Sequence, residues 1–212
     1  VYCMPLTGLS FAPPAELLSA AEIETVGRAA VAAGFRRVRL TGGEPTLRSD
    51  LVEIVTRLAS IVGMGEIAMT TNGILLPKLA ERLKSAGLRR VNIHIDTLNE
   101  ERIRQIMRWG DLARIWRGIE AAESAGLTPL KLNTVVARDY NDRDVVELAA
   151  LTQTRDWHVR FIELMPLGRN DTAAVARSQF VSNHDTRRRI EDALGLLVPF
   201  PSQNPADESK NF

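Results

Sequence analysis

Residues 37–45 read Arg-Val-Arg-Leu-Thr-Gly-Gly-Glu-Pro, and this stretch decides the class of fold. Its first part, Arg37–Leu40, predicts a short strand in which charged and apolar side chains alternate. The pair Gly42-Gly43 follows directly, where two glycines allow a close approach of the backbone that a Cβ atom would block. Pro45 then stops the strand and a helical pattern begins. The stretch therefore predicts one strand–loop–helix unit.

The same unit repeats along the chain on both sides of this stretch. The further predicted strands are Ile67–Thr70, Val91–Asp96, Lys131–Val136 and Val159–Met165. The predicted helices are 19–34, opened by a Ser19–Glu22 capping box, then 50–61, 76–85, 100–107, 112–124, one after Asn141-Asp142, and 186–194. Strands that alternate with helices of this length favour a parallel sheet built from βαβ units.

The strand pattern distinguishes a barrel from an open doubly wound sheet. Strands of a doubly wound sheet are covered on both faces and are almost entirely apolar. Here each strand places polar residues on one face only: Arg37 and Arg39; Asn92, His94 and Asp96; Lys131 and Asn133. We therefore expect an α/β fold of the TIM-like (β/α)6 kind, present as a partial barrel with a polar interior.

Composition sets the class of protein. The chain has 212 residues, of which 45% are hydrophobic and 25% charged, so it is long enough for one large globular domain. We expect a barrel domain over residues 1–194 and a loop-like tail over 195–212. The net charge of +1 favours neither nucleic acid nor a membrane as partner. No apolar run approaches the ~20 residues of a spanning helix, so we expect a cytoplasmic protein.

The segment Tyr2-Cys3-Met4-Pro5 gives the glycine loop a second interpretation. Taken alone, Cys3 is a small buried hydrophobe and the Gly-Gly pair is a simple turn. Taken together, the two segments resemble the radical S-adenosylmethionine superfamily, whose signature is a C-x3-C-x2-C loop after the first barrel strand and Gly-Gly-Glu after the second. The resemblance implies that Cys3 is the last cysteine of that loop, and that the first strand and two cysteines lie upstream of Val1.

Six segments resemble the GTP 3′,8-cyclase family in particular: 2–5, VRLTGGEP at 38–45, TTNG at 70–73, GLRRVNIHIDTL at 87–98, KLNTVV at 131–136 and RFIELMPLG at 160–168. The resemblance is colinear from Tyr2 to about Gly168. It implies a lyase of molybdenum cofactor biosynthesis that converts GTP to (8S)-3′,8-cyclo-7,8-dihydroguanosine 5′-triphosphate. It also implies a fragment, inactive by itself, that lacks both ends and the second cysteine cluster of the family.

The same resemblance assigns roles to individual residues. Cys3 would be a ligand of the first of two 4Fe–4S clusters. The residues that would contact S-adenosylmethionine are Tyr2, Gly43, His94 and Met165. The residues that would hold GTP are Arg39, Thr70 and Lys131. His94 departs from the family, which commonly has serine there; an imidazole would donate to a ribose hydroxyl or a carboxylate instead.

The charges on the strands agree with a phosphate ligand. Four cations stand on predicted strands: Arg37, Arg39, Lys131 and Arg160. Burying an unpaired cation costs several kcal/mol, so either acidic residues such as Asp96 and Glu163 neutralise them or an anionic ligand does. Guanidinium groups suit phosphate oxygens, and an ammonium group adds a point charge. The pattern favours a triphosphate.

Two other functions remain open from the sequence. Another radical S-adenosylmethionine enzyme, such as a peptide-modifying one, would share the cysteine and Gly-Gly-Glu motifs without needing the cations. A non-catalytic nucleotide-binding barrel would leave Cys3 incidental. The electron donor is not identifiable, and homodimer formation stays open. Of the nearby residues, we interpret Glu44 as a carboxylate that fixes the loop, and Asn141-Asp142 as a helix cap.

Overall fold

The computed structural model describes residues 13, 16–106, 110–165, 176–201 and 210–212. Its strands form one parallel sheet in the order β1-β2-β3-β4-β5. Every strand pairs with its successor in the chain, whereas a doubly wound sheet reverses this order. The sheet is thus an open part of a TIM-like barrel, and the prediction of a partial barrel is confirmed. The strands are β1 (Arg37–Leu40), β2 (Glu66–Thr71), β3 (Arg90–His94), β4 (Leu130–Val136) and β5 (Trp157–Glu163).

Helices connect the strands and cover one face of the sheet. The capping box at the first helix is confirmed, since Glu22 N donates to Ser19 Oγ at 3.3 Å and Ser19 N donates to Glu22 Oε2 at 2.8 Å. Short 3₁₀ turns follow β1 at Pro45–Leu47 and the sixth helix at Leu151–Gln153. The helices are α1 (Ala20–Ala32), α2 (Leu51–Ala59), α3 (Leu76–Ala86), α4 (Glu100–Ile106), α5 (Leu112–Ser124), α6 (Val145–Ala150) and α7 (Asn183–Leu194).

The core lies between these helices and what we call the helix-covered face of the sheet. Side chains at alternate strand positions point into it and are almost fully buried, namely Ile67, Met69, Val91, Ile93, Leu130, Leu132 and Val136. Burying each such side chain stabilises the fold by about 1.5–3 kcal/mol. One helix comes especially close: a Cβ atom on Gly118 of α5 would stand 2.0 Å from the carbonyl oxygen of Gly73. Only a glycine fits there.

Two strands end earlier than the sequence predicts. β3 ends at His94 rather than Asp96, so Asp96 lies in the loop that follows the strand. β5 ends at Glu163, before Met165. In the described parts of the tail, 195–201 and 210–212, the only β-bridge joins Phe200 and Asn211. Among the described residues, no helix has the length and apolarity needed to cross a membrane.

Candidate functional site

The second face of the sheet carries the polar residues of the strands, and we call it the polar face. The register places its side chains in rows across neighbouring strands, which are about 4.8 Å apart. Arg39 lies beside Ala68, and Ala68 beside Arg90. The polar face consists of Arg37, Arg39, Glu66, Ala68, Thr70, Arg90, Asn92, His94, Lys131, Asn133, His158 and Arg160. The prediction of one polar face is thus confirmed.

The central row of this face brings together two predicted substrate residues. Thr70 pairs with Asn92, and Asn92 pairs with Lys131, so only strand β3 lies between Thr70 and Lys131. Arg39 stands one row nearer the amino ends of the strands. The three residues that the sequence assigns to GTP therefore share one face. Their role in binding stays a prediction.

Sequence reasoning missed Arg90 in this group. Its guanidinium forms an ion pair with Glu66 at 2.8 Å and donates from Nη1 to Asn92 Oδ1 at 3.1 Å. The sequence does contain a signal for this placement, because Arg90 precedes Asn92 by two positions and thus shares its face of the strand. The expected strand began one residue too late, at Val91, and left Arg90 out.

Two amide atoms on the polar face lack partners. Asn92 is fully buried, and its Nδ2 has no hydrogen-bond partner among the described residues. The same holds for Asn133 Oδ1 on the neighbouring strand. Leaving a buried polar atom unsatisfied costs about 1–3 kcal/mol. Such atoms on a polar face are where a ligand would complete the hydrogen bonding.

His94 forms the row nearer the carboxyl ends, with Asn133 and Arg160 as its register neighbours. Its Nε2 lies 2.9 Å from Asp96 Oδ2, and the other carboxylate oxygen accepts from Val135 N at 2.8 Å. Burial opposes the charged imidazole, but the charge of Asp96 and the hydrogen bond to it outweigh burial and raise the pKa of His94. The site therefore favours protonation of His94 more than an exposed position would.

His158 shows the opposite effect on the same face. It is exposed, and its register partner is Lys131. Partial burial, followed by the positive charges of Lys131 and Arg160, lowers the pKa of His158. The polar face is consequently a region of positive potential around Lys131.

The loop after β1 is fixed by Glu44, as predicted. Glu44 Oε1 accepts from Thr46 N at 3.0 Å and from Thr71 Oγ1 at 2.7 Å. Glu44 Oε2 accepts from Asn72 N at 2.7 Å, so one carboxylate joins the ends of β1 and β2. Beside it, Gly42 has φ +155°, and a Cβ atom on Gly43 would meet no atom of the described residues within 4 Å. The Gly43 backbone borders open space that a ligand can enter.

Asn141 does not cap a helix, and that prediction is wrong. Its Nδ2 donates to the carbonyl oxygens of Asp96 and Val135, both at 2.8 Å, while its Oδ1 accepts from Ala137 N at 2.8 Å. α6 begins later, at Val145, without a side-chain cap. Asn141 instead joins the segments that follow β3 and β4, because three backbone groups there have no strand partner. It shapes the carboxyl end of the sheet.

The remaining predicted residues fall into three groups. Glu163 lies on the helix-covered side and accepts from Asn183 N at 2.7 Å, which rules out the alternative that it neutralises the strand cations. Met165 follows β5 and is exposed. Tyr2 and Cys3 lie outside the described residues.

The residues present satisfy the expected cofactors only in part. The chain contains one cysteine, and the described ranges hold no group of three or more His, Cys, Asp or Glu residues that could bind a metal. One thiolate does not complete a three-thiolate cluster site. The open space at Gly43 and the imidazole of His94 are compatible with a zwitterionic ligand such as S-adenosylmethionine.

Comparison with known proteins identifies relatives over almost the whole chain. The chain is 49% identical over 199 residues to the GTP 3′,8-cyclase of Pelotomaculum thermopropionicum, covering 94% of this chain and 61% of the relative. It is 45% identical over 211 residues to the GTP 3′,8-cyclase of Moorella thermoacetica, covering 100% of this chain and 64% of the relative. The chain thus spans less than two thirds of the length of these relatives.

Solved structures share the fold at low sequence identity. A radical SAM methyltransferase from Sphaerobacter thermophilus matches with a TM-score of 0.59 and 17% identity, over 82% of this chain and 52% of that chain. Coproporphyrinogen III oxidase from Escherichia coli, a radical SAM enzyme, matches with a TM-score of 0.56 and 18% identity, over 82% and 44%. The family model described as the Radical SAM superfamily matches residues 1–152. This chain therefore belongs to the radical SAM superfamily.

Proposed function

We propose that the full-length protein containing this chain is a GTP 3′,8-cyclase of molybdenum cofactor biosynthesis that acts in the cytoplasm. The observation that carries the proposal is the row formed by Thr70, Asn92 and Lys131, with Arg39 one row away. Together, the row and Arg39 combine a hydroxyl, an amide and two cations on one face of the sheet. Such a set of donors suits the oxygens of a nucleoside triphosphate.

Charge on the polar face supports a polyanionic substrate. Among the described residues of this face, arginine and lysine outnumber carboxylates, and the carboxylate of Glu66 is already engaged by Arg90. Lys131 and Arg160 also lower the pKa of His158, which indicates that their positive charge extends over this region. In the proposed enzyme Arg39 and Lys131 neutralise the triphosphate, and Thr70 adds a hydroxyl donor.

The S-adenosylmethionine site of the proposal lies toward the carboxyl ends of the strands. Cys3 would supply one thiolate to the 4Fe–4S cluster, and Tyr2, Gly43, His94 and Met165 would contact S-adenosylmethionine; the full-length enzyme would hold a second cluster. When bound, the cluster and S-adenosylmethionine would supply a hydrogen-abstracting radical. His94, oriented by its hydrogen bond with Asp96, would donate to the carboxylate of the methionyl group.

The chain's own contribution to the reaction is positioning. The triphosphate anchor at Arg39 and Lys131 would fix the ribose at a set distance from the S-adenosylmethionine side of the polar face. Holding two reactants in one geometry removes a large entropic part of the barrier. Glu44 and Asn141 keep the loops at this end of the sheet in place through hydrogen bonds to strand ends.

The test is turnover of isotopically labelled GTP by the chain extended to the full length of its relatives, loaded with clusters under anaerobic conditions. With GTP carrying deuterium at C3′, we expect the deuterium to appear in 5′-deoxyadenosine as the cyclised nucleotide forms. Cys3→Ser should abolish both products. Cleavage of S-adenosylmethionine without deuterium transfer from GTP would overturn the proposal in favour of another radical enzyme, such as one that modifies peptides.

A further inference from the structure

Asn92 is the residue of the polar face whose role is not explained by packing. It lies at the middle of β3, has no exposed surface, and its outward amide atom Nδ2 has no partner in the described ranges. An apolar residue of similar size would fill this position without the cost of an unsatisfied donor. A buried donor without a partner therefore points to a ligand that supplies the acceptor.

Arg90 and Glu66 determine which end of the amide faces the ligand. A guanidinium only donates hydrogen bonds, so the atom of Asn92 that lies 3.1 Å from Arg90 Nη1 must be the oxygen. Arg90 itself is held by the ion pair with Glu66 at 2.8 Å. The chain Glu66–Arg90–Asn92 thus fixes the amide orientation and leaves Nδ2 as the donor for the ligand.

The register identifies what that donor would meet. Asn92 is the direct neighbour of Thr70 on β2 and of Lys131 on β4. With strands about 4.8 Å apart, an oxygen bound by either neighbour lies within reach of the Asn92 side chain. A hydroxyl, an amide and an ammonium group in one row provide donors, and the partner that fits them is an anion with several oxygens.

We propose that Asn92 is a further substrate-binding residue, whose Nδ2 donates to an oxygen of the triphosphate between Thr70 and Lys131, and that Arg90 and Glu66 are positioning residues for it. The inference rests on the proposed function, since it takes GTP as the ligand of the polar face. It adds a neutral donor to the cations, and neutral donors select for the placement of oxygens rather than for charge alone.

The decisive variant is Asn92→Asp, which has the same shape and keeps an oxygen for Arg90. It replaces the donor with a negative oxygen that repels phosphate, so GTP affinity should fall on the order of tenfold to a hundredfold or more. S-adenosylmethionine affinity should change little. Without ligand, the new carboxylate lies between Arg90 and Lys131, so the thermal unfolding temperature should stay equal or rise. A purely structural Asn92 would instead lose stability and affinity together.

Two further variants serve for comparison: an uncharged substitution at position 92, and a charged substitution far from the polar face. Asn92→Leu removes the donor without adding charge and should weaken binding of inorganic triphosphate as well as of GTP. Asn183→Asp adds the same charge at an exposed position of α7 and should leave both affinities unchanged. Calorimetric titration of the full-length protein measures its affinities for GTP, inorganic triphosphate and S-adenosylmethionine.

The outcomes separate this inference from the proposed function. If the unmodified protein binds GTP, Lys131→Ala weakens that binding and both Asn92 variants leave it unchanged, then Asn92 does not contact the substrate and this inference is overturned alone. If Asn92→Leu weakens GTP but not inorganic triphosphate, the amide contacts ribose or base, and the phosphate assignment is wrong. If the unmodified protein does not bind GTP, the proposed function itself fails.

Discussion

The two faces of the sheet use the same strands for different purposes. On the helix-covered face, Ile93 and Leu132 are fully buried and have no polar atoms to satisfy. On the polar face, Asn92 is equally buried but keeps an unpaired amide donor. Successive residues of one strand thus differ in function although they differ little in exposure. Burial alone does not distinguish core from site; unsatisfied polar atoms do.

The largest effect on stability should come from the helix-covered face. Ile93→Ala removes a fully buried side chain and leaves a cavity, which should cost about 2–5 kcal/mol of unfolding free energy. Val62→Ala deletes methyl groups that are 93% exposed and should change stability by no more than about 0.5 kcal/mol. Urea unfolding of the chain measures both. Equal effects would contradict the placement of Ile93 in the core.

Two glycines, one packed against the helix-covered side and one beside open space, should show a smaller difference in stability. Gly118→Ala places a Cβ atom against the Gly73 carbonyl on the helix side, and should cost about 1–3 kcal/mol because α5 must move. Gly43→Ala adds a methyl group to open space, so stability should hardly change.

For ligand binding the order of the two glycine variants should be the opposite of that for stability. Gly43→Ala should weaken S-adenosylmethionine binding in the full-length protein, because the methyl group occupies the space that the ligand needs. Stability is read by thermal unfolding and affinity by calorimetry. A stable Gly43→Ala variant that binds S-adenosylmethionine normally would remove Gly43 from the site.

The smallest effect concerns the protonation of two histidines on the polar face. Asp96 raises the pKa of His94, whereas burial and the charge of Lys131 lower that of His158. As the pH falls, His94 should therefore take up its proton before His158. Proton NMR of the imidazole signals measures the order. Asp96→Asn should lower the pKa of His94 while the backbone bond from Val135 survives through the amide oxygen.

The raised pKa of His94 also makes the stability of the fold depend on pH. Because the folded-state pKa of His94 is raised, its contribution to stability is present below the ordinary histidine value, roughly pH 6.5, and is lost as the pH rises through the folded-state value. The difference in unfolding free energy between the unmodified chain and His94→Gln should thus shrink with rising pH. A difference that grows with pH would contradict the His94–Asp96 pairing.

The sequence predicted the polar face because strand periodicity is a local property. Alternation placed Arg39, Asn92 and Lys131 on one face without knowledge of the pairing. The register was not predictable, since it depends on how the helices pack, and so the neighbours of Asn92 emerged only from the structure. Arg90 was missed because the predicted start of β3 was one residue late.

Two other errors have the same origin in tertiary contacts. The sequence left open that Glu163 neutralises the strand cations, but Glu163 is an odd number of positions from Arg160 and therefore points to the opposite face. Asn141 has the sequence appearance of a helix cap. Its real partners, the carbonyls of Asp96 and Val135, come from two loops that only the fold brings together.

The central claim is that the polar face binds the triphosphate of GTP, and Lys131 tests it most directly. Lys131→Ala in the full-length protein should weaken GTP binding on the order of tenfold to a hundredfold, as expected for a charge-assisted contact. S-adenosylmethionine binding should be nearly unchanged. Lys78→Ala removes the same charge from an exposed position of α3 and is the matched control. Calorimetric titration should give a GTP affinity loss for Lys131→Ala alone; equal GTP affinity in both variants would contradict the account.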